Sequence, residues 1–191
     1  MKAISLFSGM GGDSLGMKNA GFEVIAHSEI NPVFQQTHKL NFPDCQLIGT
    51  GDLSKTTDEE LAHFTKSSVN LIFAGFPCQG FSNAGQKKVN DPRNTLFKEF
   101  LRATRIIQPD YIIGENVKGL LSRKNFEGKK YIELIKESFE EEGYNIFYDT
   151  LLASDYGLPQ KRERLFIVGI KGSISASAEW DQKRQQSWLP L

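Results

Sequence analysis

At 191 residues, with 39% hydrophobic and 24% charged side chains, the chain has the size and composition of one soluble domain with a sizeable core. Its 23 Lys and Arg balance 23 Asp and Glu, so no global basic field announces a nucleic-acid partner, and any polyanion must be met by a local patch or by another chain. The N-terminus lacks a signal-peptide core, no apolar stretch approaches membrane-spanning length, and Cys45, Cys78 and three scattered histidines form no metal-ligand spacing; the chain reads as intracellular, without metal or disulfide.

Taken in order, residues 3–7 are a short apolar strand that breaks at Ser8-Gly9-Met10-Gly11-Gly12-Asp13 and resumes with helical spacing through Leu15, Met17 and Ala20. Strand, glycine turn and helix are what a nucleotide site requires, because glycines allow a tight turn and leave helix N-terminal amides free to donate. A ligand-free turn explains a glycine cluster equally well, and the spacing is not the usual dinucleotide fingerprint. Residues 22–28 read as a second strand ending at Glu29, an acidic residue placed to accept from both ribose hydroxyls; alone it would be a helix-start carboxylate ahead of Asn31-Pro32. His27 reads as structural. Residues 32–41 form a surface helix, residues 46–48 a weak strand, and Asp52 either accepts from the exocyclic amine of a purine or caps a turn. Nothing near Cys45 would activate it. Thr57 with Glu60 predicts a capping box on a helix over 57–64, with no function attached.

The stretch 71–82 is central: the apolar run Leu71 to Ala74 feeds into Gly75-Phe76-Pro77-Cys78-Gln79-Gly80-Phe81-Ser82, placing a thiol at a strand's carboxyl edge, where open α/β sheets bind ligands. Residues 80–94 have no hydrophobic period and carry Lys87, Lys88 and Arg93, the profile of a loop that is either functional, closing over substrate, or disordered. Residues 96–107 predict an amphipathic helix stopped by Pro109, and residues 111–117 a buried strand whose Glu115 is either a paired core charge or a catalytic acid. A helix over 128–142 precedes strands at 145–153 and 165–170, joined closely enough to be antiparallel. Their linker alternates Gln160, Arg162 and Arg164 on one side if extended, although a solvated charged loop would look the same. Residues 171–191 are a polar tail containing Trp180 and Trp188, expected to be poorly ordered unless something docks there.

Four fragments, residues 7–12, 75–82, 115–117 and 160–164, in that order and covering residues 1 to about 170, resemble the DNA (cytosine-5)-methyltransferase family. The resemblance implies an α/β, Rossmann-like three-layer sandwich with a mostly parallel seven-stranded sheet and one antiparallel strand, S-adenosylmethionine as cofactor, and methylation of a cytosine flipped out of double-stranded DNA. Cytosine C5 is too weak a nucleophile to attack a methyl sulfonium directly, so a thiolate, here Cys78, first adds at C6. By the same resemblance Glu115 contacts N3 and the exocyclic amine, Arg164 and Arg162 orient Glu115 and the base through charge-assisted hydrogen bonds, and Asn116 fixes the turn around the cysteine. The cofactor set it implies is Phe7, Gly9, Gly11, Gly12, Glu29, Ile30, Asp52, Leu53, Pro77 and Leu96; Gln79, Ser82, Lys87 and Arg93 are the DNA contacts.

Complete members continue into a target-recognition domain and a final helix returning to the cofactor side. Three classes of function therefore stand: a catalytic portion working with a second chain that carries recognition, an inactive remnant or fragment, and an S-adenosylmethionine-binding module without turnover. An RNA cytosine substrate is a fourth option, because the chemistry at C5 is the same.

Overall fold

Residues 1–77, 96–125 and 127–172 are described by the structure, a computed structural model. Alternation along the strands builds two packing faces. Ile72 and Ala74 face one way and join Ile4, Leu6, Ile112, Leu165 and Ile167 in the larger core, while Leu71 packs on the other side with Ala3 and Met17. The strands are β1 (Lys2–Leu6), β2 (Glu23–Ser28), β3 (Gln46–Leu47), β4 (Val69–Ala74), β5 (Tyr111–Asn116), β6 (Tyr144–Leu152) and β7 (Glu163–Lys171). They form one seven-stranded sheet in the order β3-β2-β1-β4-β5-β7-β6. The pairs from β3 to β5 are parallel, and β7 runs antiparallel to both β5 and β6.

Among the described residues the sheet is accompanied by the α-helices α1 (Gly12–Asn19), α2 (Pro32–Asn41), α3 (Asp58–Ala62), α4 (Leu96–Ile107) and α5 (Tyr131–Glu141). The larger core takes Leu61 from α3, Phe100, Ala103 and Ile107 from α4, and Ile132, Ile135 and Phe139 from α5; Met17 of α1 belongs to the opposite face. Helices on both faces make a three-layer arrangement. Among the described residues that second face is less covered beyond α1: Ile113, Phe147, Phe166 and Val168 are half-buried and Tyr111 is 43% exposed.

Local chemistry accounts for the boundaries. Pro32 opens α2 behind Asn31, whose side chain accepts from the Val33 and Phe34 amides. Both bonds of the Thr57–Glu60 capping box are present, but the α-helix closes at Ala62 and continues as a 3-10 turn, His63–Ser67, rather than running to Phe64 as α-helix. The helix expected from 128 begins at Tyr131, because Asn125 accepts from the Glu127 and Lys129 amides and Gly128, at φ 85°, sits in the resulting turn. The first strand stops at Leu6, since Phe7 is in the left-handed region at φ 58°. β7 is longer than residues 165–170, and Gly172 still donates to the Gly143 carbonyl, which carries the ordered core past residue 170.

Candidate active site

The parallel strands β1, β2 and β4 end together at one edge. There Gly9 at φ 54° and Gly11 at φ 97° fold the chain from β1 into α1. A Cβ at Gly11 would stand 2.6 Å from the Phe42 ring and 3.0 Å from His38, so this glycine is required by backbone angle and by packing together. At Gly9 and Gly12 an added Cβ meets nothing within 4 Å, so both stand on open space at this edge. Gly11 caps α1 without a side-chain hydrogen bond, and of the first helical amides the Ser14 N–H donates to Asp13 Oδ1 at 2.7 Å.

Glu29 braces this turn. One carboxylate oxygen accepts from the Gly9 amide at 2.9 Å and the other from the Asn31 amide at 2.8 Å, and each oxygen keeps a lone pair for a further donor. Ile30 beside it is 68% exposed. The following turn packs against the same backbone: a Cβ at Gly51 would lie 2.2 Å from the Glu29 carbonyl, and Gln35 Nε2 donates to the carbonyls of Glu29, at 2.6 Å, and Thr50, at 3.2 Å. Asp52 caps the 3-10 turn Leu53–Lys55, accepting from the Ser54 hydroxyl at 2.6 Å and pairing with Lys55 at 3.2 Å. The Ser54 hydroxyl, more than the nearby lysine, holds its carboxyl below the usual range. Leu53 is buried. The cap reading of Asp52 is thus realised, and it leaves an ionised acceptor at the same edge as Glu29.

The second half of the crevice comes from β4, β5 and β7. Gly75 donates to the Leu6 carbonyl at 3.2 Å, and a Cβ there would stand 3.8 Å from the Phe7 carbonyl oxygen and 3.9 Å from Glu115 Oε2. Gly75 therefore brings the end of β1 and the Glu115 carboxylate into one neighbourhood. Glu115 Oε1 pairs with Arg164 Nε at 2.9 Å, with Arg162 standing off at 3.9 Å. Glu115 and Arg164 side chains are each 25% exposed, which shields the nearer pair from solvent more than the outer arginine, at 49%. Asn116 Nδ2 donates to the Phe76 carbonyl at 3.0 Å and its Oδ1 accepts from Val117, so it ties β5 to the turn leading into Pro77. Phe76 anchors that turn by packing on Phe97 and Phe100 of α4, while Pro77 and Leu96 are half-buried. Gln160 is exposed and does not join the two arginines. Cys78, Gln79, Ser82, Lys87 and Arg93 lie outside the described residues, as do Trp180 and Trp188.

Sequence reasoning missed a buried polar relay behind the glycine turn. His27 stacks on His38 with ring centroids 3.6 Å apart; Ser8 Oγ lies 3.0 Å from His27 Nδ1, and Ser14 Oγ 2.9 Å from His38 Nε2. Burial, then the neighbouring His38 and Lys39, push His27 down to about 4, so both rings are neutral at physiological pH. Cys45 is buried and its thiol is pushed up to about 12, which fits its reading as inert. Among the described residues no three His, Cys, Asp or Glu side chains are grouped to hold a metal, and no helix is long and apolar enough to cross a membrane.

A three-layer fold with this sheet order, a glycine turn and an acidic residue ending the second strand defines the S-adenosylmethionine-dependent, Rossmann-like methyltransferase class. A prophage-encoded protein of Escherichia coli, assigned as a DNA modification methyltransferase, superposes with a TM-score of 0.74 at 34% identity over 93% of this chain and 49% of its own. The family model for C-5 cytosine-specific DNA methylases matches residues 1–188, and the chain belongs to that family. It is 44% identical to the type II methyltransferase M.FnuDI of Fusobacterium nucleatum, over 93% of this chain and 49% of that protein. It is 39% identical to M.AquIA of Picosynechococcus, over 88% of this chain and 71% of that protein. The chain spans about half the length of most of the curated relatives it matches.

Proposed function

We propose that this chain is the catalytic portion of an enzyme that methylates C5 of cytosine in double-stranded DNA, using S-adenosylmethionine. The observation that carries the reading is the Glu115–Arg164 pair, 2.9 Å apart, with Glu115 beside Gly75 in the segment that leads to Pro77-Cys78 and the Phe7 carbonyl, at the end of β1, near the same glycine. The glycine side fits the cofactor: Gly9 and Gly12 leave room for its methionine part, Glu29 has acceptor capacity for the ribose hydroxyls, and Asp52 with Leu53 borders the adenine. When bound, that group supplies a methyl made electrophilic by its sulfonium.

The chain's own residues do the rest. The Cys78 thiolate forms a bond to C6 of a flipped cytosine, and the electron pair displaced from the C5–C6 double bond moves toward N3, where Glu115 shares a proton. Arg164 holds that carboxyl in place, and Asn116 holds the Phe76 carbonyl, two residues before Cys78 in the sequence. Once C5 carries the methyl, water removes the C5 proton and the Cys78–C6 bond breaks, returning the thiolate. DNA held by the 78–95 segment and a recognition segment, in this or a second polypeptide, completes the reading; the half-buried apolar face of Ile113, Phe147, Phe166 and Val168 supports a covering element.

DNA containing 5-fluorocytosine tests it, because the fluorine cannot leave as a proton does and the adduct persists. With S-adenosylmethionine and a recognition segment added, wild type is expected to form a covalent adduct that Cys78→Ser abolishes; an adduct surviving that change defeats the nucleophile assignment. The chain alone is expected to bind S-adenosylmethionine weakly and to methylate little, and robust sequence-specific methylation by it would remove the need for a recognition segment.

A further inference from the structure

Arg102 lies on the buried side of α4, with its side chain 25% exposed, and takes no part in the chemistry above. Its guanidinium nevertheless gathers four acceptors from three segments. Nε donates to Glu99 at 2.9 Å, one terminal nitrogen to Asp58 at 2.6 Å, and the other to the carbonyls of Leu53, at 2.9 Å, and Thr56, at 3.0 Å. Those carbonyls open and close the 3-10 turn that Asp52 caps, and Asp58 begins α3 immediately after it. The Thr56 hydroxyl donates to the Asp52 carbonyl at 3.3 Å, which extends the hold to the cap itself. Leu53 fastens the turn from its other side by burying its side chain.

Resting on the reading that Asp52 and Leu53 border the adenine, we propose that Arg102 is a positioning residue that sets the adenine side of the cofactor crevice. The Leu53 carbonyl takes one bond within the turn, from the Thr56 amide at 3.2 Å, and a planar fork with five donors adds a second bond to it and one to the Thr56 carbonyl while ion-pairing on its other edges. Lysine, with one nitrogen, cannot reach all four acceptors. Arg105, one turn further along α4, pairs with Glu142 away from this turn and serves as the control.

The test titrates the full chain with S-adenosylhomocysteine and with S-inosylhomocysteine, which differ in the exocyclic amine that Asp52 is placed to accept from. Wild type is expected to prefer the adenosyl ligand. Arg102→Lys is expected to cut that preference by about tenfold, the worth of one to two hydrogen bonds, and Arg105→Ala to leave it intact. A merely structural role would weaken both ligands in equal proportion; that result, or an unchanged preference, overturns the proposal. A wild type that binds both ligands without preference overturns the adenine reading on which it stands, whereas no binding of either overturns the cofactor site as a whole. If Arg102→Lys does not fold, Asp58→Asn keeps the arginine and reads the same ratio, with a smaller loss expected and an unchanged ratio counting against the proposal.

Discussion

The two sides of the crevice are built by different means. On the β1–β2 side the geometry is made by the backbone: two glycines at positive φ turn the chain, and Glu29 uses both carboxylate oxygens on amides of that turn and its neighbour. On the β5–β7 side it is made by side chains that meet only through sheet pairing, with Glu115 opposite Phe166 and Arg164 one pleat further along β7. A backbone-built site is preorganised by residues close in sequence, whereas a pair across antiparallel strands depends on register, and a slip of one residue would turn Arg164 to the other face. Under the proposed function, the first side would suit a cofactor of fixed shape and the second would place charge where it develops during reaction.

The largest expected effect that sharpens this contrast is on the pairing side. Glu115→Gln keeps size and polarity but cannot supply the proton, so methylation in the completed enzyme should fall by about 10²-fold or more, with the melting temperature nearly unchanged; activity close to wild type would remove Glu115 from the chemistry. On the backbone side Gly11→Ala should act through folding. A methyl at φ 97° and 2.6 Å from the Phe42 ring should cost roughly 2 kcal/mol or more by strain and overpacking, read as a lowered melting temperature together with weaker S-adenosylmethionine binding. Gly12→Ala, with nothing within 4 Å of the new Cβ, is the matched control and should leave the melting temperature unchanged.

A smaller effect should appear with pH. His27 titrates near 4 in the folded chain and at its ordinary 6.5 when unfolded, so between these values the unfolded chain binds more protons. Stability from the neutral stack is fully present above about pH 6.5 and erodes as pH falls toward about 4. Denaturation midpoints compared at pH 7 and pH 5 should show the decline, and His27→Gln should flatten it; an equal decline in the variant would put its source elsewhere. The smallest effect is expected from Arg105→Ala, whose side chain is 60% exposed in its ion pair with Glu142 and whose loss should not move the melting temperature measurably.

Much of this was legible in the sequence where the cause is local. α2 occupies residues 32–41 with Pro32 at its start, α4 occupies residues 96–107 as its amphipathic period and the Pro109 stop indicate, and Thr57 with Glu60 forms the capping box. The alternation of Arg162 and Arg164 was also readable, since both reach toward Glu115, though the third member, Gln160, stays outside. What escaped reading depends on distant partners. His27 looked solitary because its companion, His38, sits on another element, and nothing singled out Arg102 because its carbonyl acceptors carry no sequence signal. Asp52 carried two readings, and the acceptor set of its carboxylate, Ser54 and Lys55, realises the cap.

By itself the sequence determined the conformations that a few adjacent residues can enforce and the kinds of side chain at the crevice: turns at Gly9 and Gly11, the helix start at Pro32, and a carboxylate, an amide and two arginines near the strand ends. Only the tertiary structure decided that β7 enters between β5 and β6, which is what brings Arg164 onto Glu115. Strand neighbours are chosen by burying both faces of the whole sheet at once, a sum over the chain that no window of sequence contains.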